Sequence, residues 1–261
     1  MTQTTRVSQR RTPVGPAPRQ PAPQHADWPP PPACANLLFI RHAAPVQHMP
    51  VRVSEAFTLR TYPYREADLI VAAFTRDQGM LRGIVRRARR PKSGFGAGFE
   101  RLSQVRLTYY QRENTELVRL DGCEMIQSQF DLAKDYAAGV ALDFLADVSG
   151  QLLPPAEPNE KFFRLLAAVL AHLRANPEHG MWTAVTYFSL WAVRLQGFLP
   201  DLQVSAESNL IAQEMLTTPI AQLSLTHWTR DTARDLRRAL VRVIEHQIDR
   251  KLITAPHLES L

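Results

Sequence analysis

From Ser54 to about Ile126 apolar and polar positions alternate with a period of two, and beyond Gln129 the period becomes 3.6. In "SEAFTLRTYPY", Phe57 and Leu59 alternate with Thr58 and Arg60. "DLIVAAFTRDQG" reads as a more buried strand ending in a turn at Asp77–Gly79, and "MLRGIVRRA" follows at once, so the pair predicts a hairpin. "SQVRLTYYQREN" sets Val105, Leu107 and Tyr109 against Arg106, Thr108 and Tyr110. After a polar turn at Glu113–Thr115, "ELVRLDGCEMI" supplies a fifth strand. Five short strands in about 75 residues are too few for a large sandwich. A small closed barrel of the OB type removes the exposed edges such strands would otherwise leave.

The helical pattern predicts one helix over Leu132–Leu153, stopped by Pro154 and Pro155. A second begins near Asn159 as its N-cap and places Phe162, Leu165, Leu166, Val169 and Leu173 on one face. "MWTAVTYFSLWAVRLQGF" is apolar almost all round, which marks a central helix ending at Gly197 with Pro200 just beyond. A last helix, about Thr229 to Leu252, is expected to bury Leu236, Leu240, Val243, Ile244 and Gln247. The fold class expected is α+β and multidomain: an OB-type barrel over 49–127, then an all-helical domain over 128–261.

Residues 1–48 are dense in proline, as in "RRTPVGPAPRQPAPQHADWPPPPACA", and predict an extended coil. Three readings of this segment stand open: a proline-rich docking tail, an arginine-containing, acid-poor transit peptide, or a miscalled start, since "MPVRVSEAFTLR" reads as a natural start at Met49; no function is assigned to it. The net charge of +6 is unevenly spread: +4 in residues 1–48, +6 in 49–92, −6 in 93–228 and +2 in 229–261. A basic barrel beside an acidic middle points to an anionic partner on one part of the fold. Cys34 and Cys123 form no C-x-x-C pattern, which fits a reducing, cytoplasmic compartment. "ANLLFI" is far too short to span a membrane, and no secretory signal is read.

No catalytic constellation emerges. The eight histidines form no H-E-x-x-H pair, and Gly94, Gly96 and Gly98 lack the K-[ST] of a phosphate-binding loop. The expectation is a protein that is not an enzyme. The basic residues carry more information. Arg86, Arg87, Arg89, Arg90 and Lys92 fall within seven positions, with Arg60, Arg65 and Arg82 on neighbouring segments. In an OB barrel a cationic strand end and its loop track a polynucleotide backbone, and the planar fork of arginine suits phosphate. Tyr110 shares a strand face with Arg106 and Thr108, where it is placed either to stack a base or to pack against the barrel. Arg230, Arg234, Arg238 and Arg242 recur every fourth residue as a secondary stripe, offset in part by Asp231 and Asp235.

"LRTYPYREADLIVAAFTRDQGMLRGIVRRARRPKS" resembles the opening barrel of the bacterial RecO family, and "LWAVRLQGFLPDL" and "HQIDRKLITAPHLESL" resemble its helical domain. The resemblance implies a DNA repair and recombination mediator, nucleoid-associated in the cytoplasm. It implies binding of single- and double-stranded DNA, annealing of complementary strands and a partnership with RecR. It further implies action on strands coated with single-stranded-DNA-binding protein, to help load RecA. Many members carry a four-cysteine zinc site after "G-x-x-P-x-L". Here Ser205 and Ser208 stand at the first C-x-x-C spacing and the second pair is missing, so no structural zinc is expected and a short linker from Asp201 to Ser208 takes its place. Two other readings compete: a protein-interaction adaptor with a merely solvated loop, and an RNA-binding OB protein.

Overall fold

The computed structural model describes residues 50–90, 95, 99–111, 117–224 and 226–261. The expectations for residues 1–48, for Lys92 and for the β-turn at Glu113–Thr115 lie outside the described residues. Five strands form a closed barrel in the order β1-β2-β3-β5-β4: β1 (Val51–Tyr64), β2 (Asp68–Thr75), β3 (Gly79–Val85), β4 (Gln104–Tyr110) and β5 (Leu117–Gln127). β3 and β5 pair in parallel and the other neighbours are antiparallel, the connectivity of an OB-type barrel. The barrel is filled by Ala56, Val71, Ala73, Leu81, Val85, Val105, Leu107, Tyr109, Val118 and Leu120.

The alternation in β1 is real, but Phe57 and Leu59 point away from the barrel interior. They join Phe74 and Leu102 in the core formed by the helices. Phe57 lies 4.7 Å from Phe163, and Phe74 meets Phe162 edge-on at 5.8 Å. Thr58, expected on a polar face, is fully buried. A bulge between Thr58 and Arg60 interrupts the ladder, and there Thr58 donates its N–H to the Ser103 carbonyl at 3.1 Å. Both faces of the strand are therefore covered at this end, one by barrel and one by helix.

The β2–β3 hairpin closes through Thr75 and Gly79, with the Thr75 hydroxyl donating to the Gly79 carbonyl at 2.8 Å. Gly79 has φ +70°, and a Cβ there would overlap the Glu157 backbone. The segment before the third helix thus lies directly on the hairpin, and Ala156 donates its N–H to Met80 at 3.1 Å.

The helices are α1 (Phe130–Ala133), α2 (Tyr136–Leu152), α3 (Glu160–Ala175), α4 (Met181–Leu195), α5 (Ala206–Thr217), α6 (Arg230–Ile248) and α7 (Ala255–Glu259). The single helix expected over Leu132–Leu153 is divided, because Asp135 caps α2 by accepting from the Ala138 N–H at 2.8 Å. Asn159 caps α3 in the same way at 3.0 Å. α4 is buried on nearly every side, and Gly197 follows it with φ +79°. The linker expected to run to Ser208 stops at Ser205, whose side chain caps α5 by accepting from Ser208 N–H at 3.2 Å. α6 opens with a reciprocal Thr229–Thr232 capping box and ends at Asp249 in left-handed backbone. It buries Leu236, Leu240 and Ile244, whereas Val243 is half-buried and Gln247 exposed, because the apolar stripe narrows in the last turn.

Candidate nucleic-acid interface

At the end of the barrel away from the helices, the chain leaves β3 through a turn holding Arg86, Arg87, Arg89 and Arg90, all exposed. Arg87 adopts left-handed backbone (φ 57°), a conformation that costs a non-glycine residue about 1 kcal/mol. Two bonds hold the turn against the β1–β2 loop. The Arg87 N–H donates to the Asp68 carboxylate at 2.9 Å, and the Arg89 N–H donates to the Ala67 carbonyl at 3.0 Å. Arg65 in that loop, also left-handed (φ 53°), lies with its guanidinium 5.2 Å from the Tyr64 ring centroid. One barrel end therefore gathers five arginines, with Glu66 and Asp68 as the acids in the same loops.

These arginines differ from the others on the barrel. Arg76 pairs with Glu55 at 2.8 Å and Glu160 at 3.1 Å, Arg106 with Glu124 at 2.9 Å, Arg119 with Asp121 at 3.1 Å, and Arg101 with Asp143. Among the described residues, Arg65, Arg82, Arg86, Arg87, Arg89 and Arg90 enter no ion pair. No carboxylate among the described residues takes up their charge, which leaves it available to phosphate.

Arg60 is held apart from this group. It reaches the Asp147 carboxylate of α2 at 3.5 Å, and Asp147 also accepts from the Thr254 hydroxyl at 3.1 Å. Asp147 is buried, so Arg60 sits at the joint between barrel and helices. Arg82 lies in register with Ala72, which is itself in register with Arg60, on the outer wall. Tyr110 is half-buried on the same wall, with the Arg119 guanidinium 5.9 Å from its ring centroid.

The stripe on α6 has a different character. Arg238 bonds Glu259 of α7 through Nε at 2.9 Å. The neighbouring Arg237, only 5% exposed, meets the same carboxylate at 3.1 Å and stacks over Trp182 at 4.3 Å. Burial pushes the Glu259 carboxyl up, yet hydrogen bonds and charge from Arg238 and Arg237 outweigh it and hold the group below its ordinary range. Asp235, expected to offset the stripe, is engaged elsewhere: it accepts from the Ser205 N–H at 2.9 Å and the Ser208 hydroxyl at 2.8 Å. The Ser205 N–H bond above all lowers its pKa. Ser205 and Ser208 thus tie α5 to α6 through a carboxylate. Arg230 and Arg234 line a groove of about 620 Å³ with Trp182 and Trp228, and Arg242 borders a second groove on the far side of α6. Arg237 and Glu259 were not singled out by sequence. Arg237 lies off the four-residue repeat, and its partner is 22 positions away.

Among the described residues, no helix is long and apolar enough to cross a membrane, and no three His, Cys, Asp or Glu side chains come together as a metal site. Burial pushes the Cys123 thiol up to about 11, which keeps it protonated near neutrality.

The fold defines a class, an OB-type barrel joined to an all-helical bundle through a shared apolar core. The chain belongs to the RecO family: "Recombination protein O N terminal" matches residues 49–129 and "Recombination protein O C terminal" matches residues 133–214. It is 37% identical over 245 residues to the DNA repair protein RecO of Koribacter versatilis, covering 81% of this chain and 99% of that one. The DNA repair protein RecO of Syntrophotalea carbinolica is 30% identical over 149 residues, 57% of each chain. That of Thermodesulfovibrio yellowstonii is 30% identical over 156 residues, 58% of this chain and 59% of its own.

Proposed function

We propose that this protein is a DNA repair mediator without catalytic chemistry of its own, and that the arginine turn after β3 is its DNA backbone contact. The observation that carries this reading is the absence of ion pairs at Arg65, Arg82, Arg86, Arg87, Arg89 and Arg90 among the described residues, on a barrel whose other exposed arginines are largely paired. Arginines already bonded to carboxylates must give up those bonds to take phosphate; these need not. Names of relatives as DNA repair proteins support the same role.

Neutralising the phosphates of two strands at once lets complementary sequences approach, so annealing needs no nucleotide hydrolysis. In this reading the protein binds single- and double-stranded DNA and, with RecR, helps load RecA on strands coated with single-stranded-DNA-binding protein. The acidic tail of that coat protein fits the basic, aromatic groove of Trp182, Trp228, Arg230 and Arg234. A tail peptide that left α6 unprotected from hydrogen exchange would exclude that placement. No structural zinc is part of this reading, since Ser205 and Ser208 are spent on Asp235 and on capping α5.

The test is fluorescence anisotropy of a labelled single strand across a salt series, with the full chain and a variant in which Arg86, Arg87, Arg89, Arg90 and Lys92 are alanine. Contact with about four phosphates gives a log–log slope of roughly −3, which collapses in the variant. Binding unchanged in the variant moves the track to the α6 stripe, and no binding by either protein leaves a protein-interaction adaptor as the better reading.

A further inference from the structure

The barrel wall beside the arginine turn carries a row of side chains that neither core uses. Tyr62 on β1 is in register with Ile70 on β2, Ile70 with Ile84 on β3, Ile84 with Arg119 on β5, and Arg119 with Tyr110 on β4. Residues in register project to the same face of a sheet. Their sequence neighbours Val71, Val85, Leu120 and Tyr109 fill the barrel, so this row faces outward. Tyr62 is 42% exposed, and Ile70 and Ile84 are half-buried members of neither hydrophobic core. The helices cover the other end of the wall, at Phe57 and Phe74. At about 4.8 Å per strand, the row from Tyr62 to Tyr110 runs roughly 19 Å around the barrel. Tyr62 at one end and Tyr110 beside Arg119 at the other thus flank the apolar pair Ile70 and Ile84, and Arg86 follows Ile84 by two residues, just past β3, in the arginine turn, which enters no ion pair among the described residues.

We infer that this row is a base-stacking track for a single strand, with bases laid on Tyr62, Ile70 and Ile84 and phosphates along the arginine turn. This inference rests on the arginine turn being a DNA contact. It adds a strand preference that charge alone does not give. A duplex hides the faces of its bases and offers only phosphates to the arginines, whereas an unpaired strand offers both π-faces and phosphates. Tyr62 rather than Tyr110 is the leading platform, because Tyr62 is the more exposed and lies three residues before Arg65, at the end of β1. Tyr110 has Arg119 beside its ring and closes the far end of the track.

The test uses the full chain with Tyr62→Ala and Tyr62→Phe, titrated against an oligothymidine and a duplex of equal length. Losing one base stack weakens the single strand about 10-fold to 100-fold in Tyr62→Ala, leaves duplex affinity within about twofold, and Tyr62→Phe restores single-strand binding. Strands carrying 2-aminopurine lose fluorescence on binding the unsubstituted protein and regain it in Tyr62→Ala. Equal loss for strand and duplex, or no loss for either, overturns the stacking track. The outcomes also separate this inference from its premise. If the five-residue basic variant loses binding and Tyr62→Ala does not, the track alone fails; if the basic variant binds as before, the arginine contact fails with it.

Discussion

Two arginine clusters on this molecule look alike as strings of letters and differ as objects. After β3, Arg86, Arg87, Arg89 and Arg90 enter no ion pair among the described residues, and the Asp68 carboxylate beside them accepts from the Arg87 backbone N–H. On α6, Arg237 and Arg238 are clamped by Glu259, and Arg237 is packed against Trp182. The first cluster keeps its charge available, while on α6 Arg237 and Arg238 are spent fastening the C-terminal helix and Arg230, Arg234 and Arg242 enter no ion pair among the described residues. The difference lies in the partners, and these come from distant positions in the chain. A density of arginines therefore marks a binding surface only where the fold withholds carboxylates from it.

The largest expected effect tests that contrast directly. At about 0.1 M salt, replacing Arg86, Arg87, Arg89, Arg90 and Lys92 with alanine lowers single-strand affinity about 100-fold or more, while replacing Arg230, Arg234 and Arg242 lowers it less than about tenfold, both read by anisotropy. The opposite order inverts the comparison. On stability the ranking reverses. Arg237→Ala removes a buried stack and ion pair, at a cost of about 2–3 kcal/mol in urea unfolding, and the five-residue basic variant costs less than about 1 kcal/mol.

A smaller effect belongs to Asp235. Asp235→Ala loses the bonds from Ser205 and Ser208 and destabilises by about 1–2 kcal/mol. Its folded pKa lies below the ordinary 3.8, so its contribution is full above that value and fades as the pH falls through the folded pKa. Acid unfolding monitored by circular dichroism therefore shows a shallower loss between pH 4 and pH 2 in Asp235→Ala, where those values are about the range in which a depressed carboxylate titrates. The smallest effect is at Arg87. Arg87→Gly relieves left-handed backbone and keeps stability within about 1 kcal/mol, so any loss of DNA affinity there reports charge and not folding.

Much of this was legible beforehand for physical reasons. Period-two alternation in β4 predicted which side chains fill the barrel, because a strand with one face in a core and one in solvent has no other pattern. It misled at β1. There both faces are covered, and alternation could not say that Phe57 and Leu59 serve the helices while Thr58 is enclosed at a bulge. The cap at Asp135 was visible as a residue type, but the apolar run through it masked the break between α1 and α2. The expected linker from Asp201 to Ser208 took in only the first turn of α5, and the rest of that helix was not predicted, because its hydrophobic stripe is weak and its N-cap, Ser205, was weighed as a lost metal ligand. The arginine turn could be found by counting; that it enters no ion pair among the described residues could not. Nor could the register that lines up Tyr62, Ile70 and Ile84, since it depends on where three separate strands stop sliding past one another.

The outward placement of Phe57, Leu59 and Phe74 carries a consequence for how the chain folds and how it can be cut. Each of these side chains belongs to the barrel by sequence and to the helical core by packing. A barrel released from the helices would present that wall to water and self-associate. Helices released from the barrel would lose one side of their interior. The two halves therefore melt together, and calorimetry should record a single cooperative transition in which neither half outlives the other.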